Sequence, residues 1–348
     1  MKVLVTGGAG FVGSHVAEFY AGKGDKVIAL DNLSRAEVLA DASSDKNTPK
    51  YNWNLLKEME NVDTVKEDVR NAEAVEELAE GVDAIVHCAG QVAVTSSLED
   101  PREDFSTNAE GTFNVAEAAR KSGTDPTVVF TSTNKVYGDN VNDIPVALDG
   151  DRYMYDDPAF ADGIPESLSI DDCEHTPYGA SKLAGDIYLQ DYADRNEIDA
   201  AIFRMSCIYG TRQFGVEDQG WLAHFIISTL QDEGLTIYGD GKQVRDVLWV
   251  DDLVRAFDSF IQDPEQTDHT VFNIGGGNDN TLSLLELLDI LEEETGQRTD
   301  IDFGDWREGD QKVYISDIRR ARKELDWEPE VGPREGVKRF LEWYRESS

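Results

Sequence analysis

Lys2-Val3-Leu4-Val5-Thr6-Gly7-Gly8-Ala9-Gly10-Phe11-Val12-Gly13 opens the chain, and it settles the architecture. Val3 to Val5 is an apolar, β-rich run, and it passes directly into glycines at 7, 10 and 13 followed by a helical pattern over Ser14 to Gly22. Strand, glycine turn and helix in that order make a resting place for a dinucleotide pyrophosphate. One glycine permits the tight turn, one lets backbone approach the phosphates, and one lets helix pack on strand, while the helix N-terminus offers free N–H groups. Gly7, Gly10, Phe11, Val12 and Gly13 are the residues expected to line it.

The same alternation continues down the first half of the chain. Lys2 to Val5, Lys26 to Leu30, Thr64 to Lys66, Ala84 to Cys88, Thr127 to Thr131 and Ala200 to Arg204 read as strands. Ser14 to Gly22, Ala72 to Ala79, Asn108 to Lys121 and Tyr178 to Arg195 read as helices. Strand, crossover and strand in repetition predict an α/β fold with a doubly wound, Rossmann-type parallel sheet. Asn140 to Thr176 is long, acidic and turn-rich and reads as a loop that shapes or covers a site. Beyond Gly210 the rhythm loosens, with Gly239 to Gly241, Gly275 to Gly277 and a closing amphipathic segment from Ile318 to Tyr344. The expected division is a dinucleotide-binding domain over 1–205 with a return segment at about 247–275, and a smaller mixed domain from 206–246 and 276–348.

At 348 residues and 40% hydrophobic composition the chain can bury a sizeable core, which excludes a disordered protein. No apolar run approaches the roughly 20 residues of a membrane span, so a cytoplasmic location is expected. Cys88, Cys173 and Cys207 are widely spaced, which suggests small buried hydrophobes and neither a disulfide framework nor a metal site. Asp and Glu total 70 against 32 Lys and Arg, a formal net charge of −38. Such a surface repels nucleic acid and anionic lipid. Its self-repulsion is screened within about 3 Å only at molar salt, so a high-salt cytoplasm is expected.

The second strand ends on Leu30-Asp31-Asn32, where the Asp31 carboxylate can accept from both ribose hydroxyls and repel a 2′-phosphate. NAD is therefore preferred to NADP, with Arg35 a nearby argument the other way. Asp68-Val69, after the third strand, falls beside the adenine position, although spacing alone permits a surface acid. Ala89-Gly90 follows the fourth strand at the cofactor edge. Tyr178 and Lys182 stand at i and i+4 on one helix face, and Thr131-Ser132-Thr133 closes the preceding strand at the edge where doubly wound sheets place ligands. Removing a hydride from an alcohol also demands removal of its proton, and free tyrosine has a pKa near 10. The chemistry predicted is a Tyr178 base, Lys182 as its electrostatic partner and ribose ligand, and Thr133 bonded to the substrate hydroxyl. The bland alternative is a helix-start aromatic and a solvated lysine.

Taken together, TGGAGFVG, Asp31, TSTNKVYG and YGASK resemble the extended short-chain dehydrogenase/reductase family of nucleotide-sugar epimerases and dehydratases, across essentially the full chain. The resemblance implies NAD on the Rossmann domain, a nucleotide-diphosphate sugar on the C-terminal part, and homodimers or homotetramers paired through the helices at Asn108 to Lys121 and Tyr178 to Arg195. It also implies that Asn108 helps position the cofactor. AGQVA at 89–93, TSTNKVYG at 131–138, YGTRQFG at 209–215, DQGW at 218–221 and GKQVRD at 241–246 are similar to the CDP-paratose 2-epimerase, or tyvelose epimerase, subgroup. For that subgroup the implied reaction is inversion through a transient keto-sugar, with hydride taken and returned by tightly bound NAD.

Arg212, Arg245 and Arg307 are scarce cations, and a guanidinium fork suits phosphate oxygens. Arg245 and Arg307 match the family's substrate-binding positions, with Asp310 a candidate ribose ligand; a plain surface salt bridge is the alternative, above all for Arg212. Gln91 and Asn134 are further candidates for sugar contact. A dehydratase of this family carries Thr-Asp-Glu where Thr133-Asn134-Lys135 stands, which argues against water elimination. A UDP-glucose/galactose 4-epimerase shares nearly every catalytic residue and remains the rival. A non-catalytic NAD-binding regulator is opposed by the presence of both Tyr178 and Lys182.

Overall fold

The computed structural model describes residues 1–34, 50–217, 219–307 and 309–347; Arg35 and Asp218 lie outside them. With strands numbered in chain order, β1 (Lys2–Thr6), β2 (Lys26–Asp31), β3 (Val62–Lys66), β4 (Ala84–His87), β5 (Thr127–Thr133), β8 (Ala200–Met205) and β12 (Val271–Ile274) form one seven-stranded sheet. The order is β12-β8-β5-β4-β1-β2-β3, and every pairing is parallel. Chain order reverses at β1, between β2 and β4, which opens a crevice at the carboxyl ends of those strands.

Both faces of the sheet are covered, so its strands are apolar throughout and successive side chains enter different cores. Val3 and Val5 pack on one side with Val16, Tyr20 and Phe257; Leu4 packs on the other with Val75, Val115 and Leu189. The first set belongs to the helices Phe11–Gly22 and Val250–Gln262, the second to Ala72–Ala79, Gly111–Lys121 and Pro177–Asp194. Away from this sheet, β9 (Cys207–Tyr209), β11 (Val244–Trp249), β13 (Thr281–Ser283) and β15 (Val313–Tyr314) make a mixed sheet, and β10 (Leu235–Tyr238) pairs with β14 (Ile301–Gly304). Their shared core contains Leu222, Phe225, Ile237, Val247, Leu287 and Phe340.

Several sequence expectations need correction. The expected loop over 140–176 contains an antiparallel hairpin, β6 (Val146–Asp149) and β7 (Arg152–Tyr155), joined through Gly150 at φ 60°. It is fastened to the C-terminal part by Tyr153 N donating to Lys242 O at 2.9 Å, and further along by Ile164 N donating to Ile315 O at 2.7 Å. The Gly150-Asp151 pair, with glycine at the first turn position between the two strands, was its readable signal. The closing amphipathic segment is two helices, Arg319–Glu324 and Pro333–Ser347, separated where Asp326 turns left-handed and Gly332-Pro333 restarts the chain. The expected helix from Asn108 is α-helical only from Gly111, because Ser106–Glu110 is a π-helical turn. The three cysteines are free and only partly buried. No helix of the described residues is long and apolar enough to cross a membrane.

Candidate active site

The glycine turn is packed so tightly that side chains cannot enter it. Gly7 has φ 69°, and a Cβ there would stand 2.7 Å from Ala89 N; a Cβ on Gly13 would stand 2.1 Å from Gly7 O. Gly10 caps the Phe11–Gly22 helix and no side chain caps it, so its leading N–H groups face the crevice without a side-chain acceptor. That is the cradle a pyrophosphate needs. Asp31 ends β2 with its carboxylate fixed by Ala9 N at 2.9 Å and Leu33 N at 2.7 Å. A carboxylate has about four acceptor sites, so two remain for ribose hydroxyls. Burial raises its pKa above the ordinary value.

Asp68 does not offer the same freedom. It accepts from Arg70 N, Nε and Nη2 at 2.9, 2.9 and 2.7 Å and from Asn32 Nδ2 at 2.8 Å. The Arg70 bonds pull its pKa down to about 2. Asn32 and Asp68 therefore brace each other at the ends of β2 and β3, with the Asp68 carboxylate already holding Arg70. Val69 is buried against Gly111, where a Cβ would meet its side chain at 2.8 Å.

Tyr178 sits in the first turn of the Pro177–Asp194 helix, whose start is fixed by Pro177 and by Thr176 Oγ1 accepting from Gly179 N at 3.2 Å. Gly179 allows that turn to lie against the segment after β5, since a Cβ there would be 2.7 Å from Lys135 O. Tyr178 is 8% exposed and Lys182 2%. Lys182 Nζ stands 4.2 Å from the Phe130 ring centroid and 3.6 Å from the position of a Cβ on Gly90. Asn108, buried in the π-turn, donates to Gln91 O and Ser181 Oγ at 3.0 Å each and accepts from Gln91 N at 2.9 Å. It thus ties the Ala89-Gly90-Gln91 loop to the helix of Tyr178 and Lys182.

Electrostatically the pair is held away from its free-solution behaviour. Burial, reinforced by Asp104, pushes the Tyr178 phenol up to about 12 against a lowering by the Thr133 hydroxyl. Burial pulls Lys182 down to about 8, against the charges of Asp186 and Asp104. Both shifts reflect the cost of a lone charge in a dry site. An added positive charge would lower the phenol again.

Behind this surface lies a network that spacing gave no hint of. Ser132 Oγ donates to Asp186 Oδ2 at 2.7 Å, and Arg204 grips the same carboxylate at 3.0 and 3.1 Å. Arg204 also donates to Tyr137 Oη at 3.2 Å, and Tyr137 in turn donates to Asn273 Oδ1 at 2.7 Å. β5, the Pro177–Asp194 helix, β8 and β12 are thereby locked together. Of these residues only Ser132 and Tyr137, both inside TSTNKVYG, had a local signal.

The candidate substrate residues divide. Thr133 Oγ1 donates to the buried Asn134 Oδ1 at 3.4 Å, so these two share the strand end. Gln91 folds onto Ala93, donating to its carbonyl at 2.7 Å and accepting from its N–H, which turns its amide away from a sugar role. Arg245 reaches Asp310 at 3.2 Å. Arg307 lies 3.9 Å over the Tyr238 ring and 3.3 Å from Glu217. Arg212, left-handed at φ 61°, pairs with Glu18 at 2.6 Å on the helix that comes after the glycine turn. The three arginines are thus three separate ion pairs, and Arg212 faces the cofactor half. Among the described residues no group of three or more His, Cys, Asp and Glu is placed to hold a metal.

The model of the NAD dependent epimerase/dehydratase family matches residues 3–275. The chain belongs to that family. As a member of it, the protein is an NAD-dependent enzyme. It is 37% identical over 352 residues to CDP-paratose 2-epimerase of Salmonella typhi, covering 99% of each chain. It is 32% identical over 351 residues to UDP-glucose 4-epimerase of Mycolicibacterium smegmatis, covering 100% of each. Among solved structures, UDP-glucose 4-epimerase of Thermotoga maritima with UDP-glucose superposes with a TM-score of 0.79 at 30% identity, over 100% of this chain and 99% of that one. UDP-glucuronic acid 4-epimerase of Bacillus cereus, in complex with UDP-glucuronic acid and NAD, gives 0.78 at 25% identity over 100% of both.

Proposed function

We propose that the protein is a nucleotide-sugar epimerase of the CDP-paratose 2-epimerase kind that keeps NAD bound between turnovers. The meeting of Tyr178, Thr133 and a nearly sealed Lys182 at the crevice beside the glycine turn carries the epimerase chemistry, and the 37% identity to CDP-paratose 2-epimerase supports the 2-epimerase kind. Tyr178 takes the proton of a ring hydroxyl while the Thr133 hydroxyl holds the same oxygen. Lys182 supplies positive charge that favours the phenolate and a donor for a ribose hydroxyl. Bound NAD supplies hydride acceptance and return at that carbon, and its positive ring offsets the burial that otherwise keeps Tyr178 protonated. Asp31 takes the adenosine ribose, Gly7, Gly10, Phe11, Val12 and Gly13 the pyrophosphate, and Ala89, Gly90 and Asn108 order the cofactor edge.

On the other side of the crevice, Arg245 and Arg307 anchor the substrate diphosphate and Asp310 its ribose. This assigns 1–205 and about 247–275 to the cofactor domain and 206–246 with 276–348 to the nucleotide sugar. Asn134-Lys135 in place of two acids speaks against dehydration. The test is incubation with CDP-, UDP- and dTDP-sugars in deuterated water with products monitored by NMR. Inversion at C2 of CDP-paratose without deuterium at that carbon is expected. Deuterium there rejects hydride return, and inversion at C4 alone selects the 4-epimerase reading.

Partly exposed Phe113, Ile187 and Tyr188 on the Gly111–Lys121 and Pro177–Asp194 helices, with the Phe113 and Tyr188 rings 5.4 Å apart, support a homo-oligomer formed through that face. The net charge of −38 supports a cytoplasm rich in salt. Repulsion reaching about 10 Å at 0.1 M salt shrinks to about 3 Å at 1 M. The melting temperature should therefore climb steadily with KCl over that range, and a flat profile would remove the halophilic assignment.

A further inference from the structure

Lys135 leaves the chain two residues after Thr133. Its N–H donates to Thr133 Oγ1 at 3.2 Å, and its Cβ is 3.6 Å from where a side chain on Gly179 would begin, so it emerges beside the turn carrying Tyr178. The side chain is partly buried, and its ammonium has no hydrogen bond or ion pair among the described residues. Arg245 repels it and Asp310 attracts it, with Cys207 and Asp139 more weakly felt; burial and Arg245 lower its pKa. Lys135 therefore lies within the field of the Arg245–Asp310 ion pair, whose own partners are 3.2 Å apart. An ammonium left without a partner among the described residues, beside the turn that carries Tyr178 and in a chain with 32 basic residues against 70 acids, fits an anion.

We propose that Lys135 holds the sugar-side phosphate of the nucleotide sugar and thereby selects C2 as the carbon presented to Tyr178. The proposal rests on the epimerase reading above. C2 is bonded to the anomeric carbon that carries the phosphate, whereas C4 lies across the ring. An anchor beside the base draws the anomeric end of the sugar to Tyr178. Anchors at Arg245 and Arg307 alone leave the ring free to bring C4 there instead. Lys135 acts through the phosphate and is a positioning residue.

Wild-type, Lys135→Met and Lys135→Arg holoenzymes are titrated calorimetrically with CDP and CMP, and in parallel with UDP and UMP. Lys135→Met should retain NAD and lose CDP affinity by about tenfold or more, the scale of a charge-assisted hydrogen bond, with CMP changing by less than about threefold. Lys135→Arg should recover part of the CDP loss. Unchanged CDP affinity, or an equal loss for CMP, overturns the phosphate assignment. On CDP-paratose, Lys135→Met should lower kcat for C2 inversion as well as raise KM; a wild-type kcat overturns the selection of C2. If wild-type enzyme binds UDP in place of CDP or inverts only C4, the substrate reading fails, while the diphosphate-to-monophosphate comparison still reports on Lys135.

Discussion

Tyr178→Phe is expected to abolish turnover by about 10²–10⁴-fold, the range attributable to a positioned general base, while leaving NAD bound. The phenylalanine ring fills the same buried position, 8% exposed at the start of the Pro177–Asp194 helix, so packing is preserved and only Oη is lost. Cofactor retention is expected because the pyrophosphate cradle, Asp31 and Lys182 are untouched. The measurement is NAD released per subunit on denaturation, together with product formation by NMR. Activity within tenfold of wild type would remove Tyr178 as the base, and loss of NAD would recast it as a cofactor ligand. The pH profile carries a second check. The phenolate is the active form, so activity should rise with pH towards a plateau, at a pH below the value of about 12 that burial imposes without the cofactor's charge.

Arg204→Met is expected to cost about 3–5 kcal/mol of stability, the penalty for leaving one partner of a buried ion pair uncompensated. The side chains of Arg204 and Asp186 are 5% and 0% exposed. With the guanidinium gone, Asp186 keeps the Ser132 hydroxyl at 2.7 Å and the Gln190 amide at 2.5 Å as its hydrogen-bond donors, and the Lys182 charge beyond them. Tyr137 also loses a donor and the cation 5.1 Å from its ring centre. Urea unfolding of the holoenzyme measures the loss. The double replacement Arg204→Met with Asp186→Leu should regain much of it, because the stranded charge is then absent. A single-variant loss under about 1 kcal/mol would mean that Asp186 is neutral or reached by water in the folded protein.

How much of this the sequence disclosed depends on the range of each interaction. The cofactor cradle was legible because turn, close approach and helix start are all local to Gly7 through Gly13. Tyr178 and Lys182 were legible as an i, i+4 pair downstream of a strand that ends in Thr133. Asp186 and Arg204 were not, since their meeting depends on the docking of a helix against two strands. Gln91's placement was not legible for the opposite reason: a two-residue contact engages its amide with Ala93. The three arginines shared one chemistry in sequence but are separated by partners at Glu18, Asp310 and Glu217, which only folding supplies.

The return of β12 to the edge of the large sheet, after β9, β10 and β11 have been laid down elsewhere, means that neither half is a detachable module. Exchange of specificity between relatives by chimera cannot use a single crossover. A graft must splice on both flanks of the stretch from Val250 to Ile274, keeping the host's helix and strand there while importing the segments on either side. A chimera with only one junction would pair one parent's β8 with the other's β12, and the mismatch would fall on Asn273, the residue that receives the Tyr137 hydroxyl.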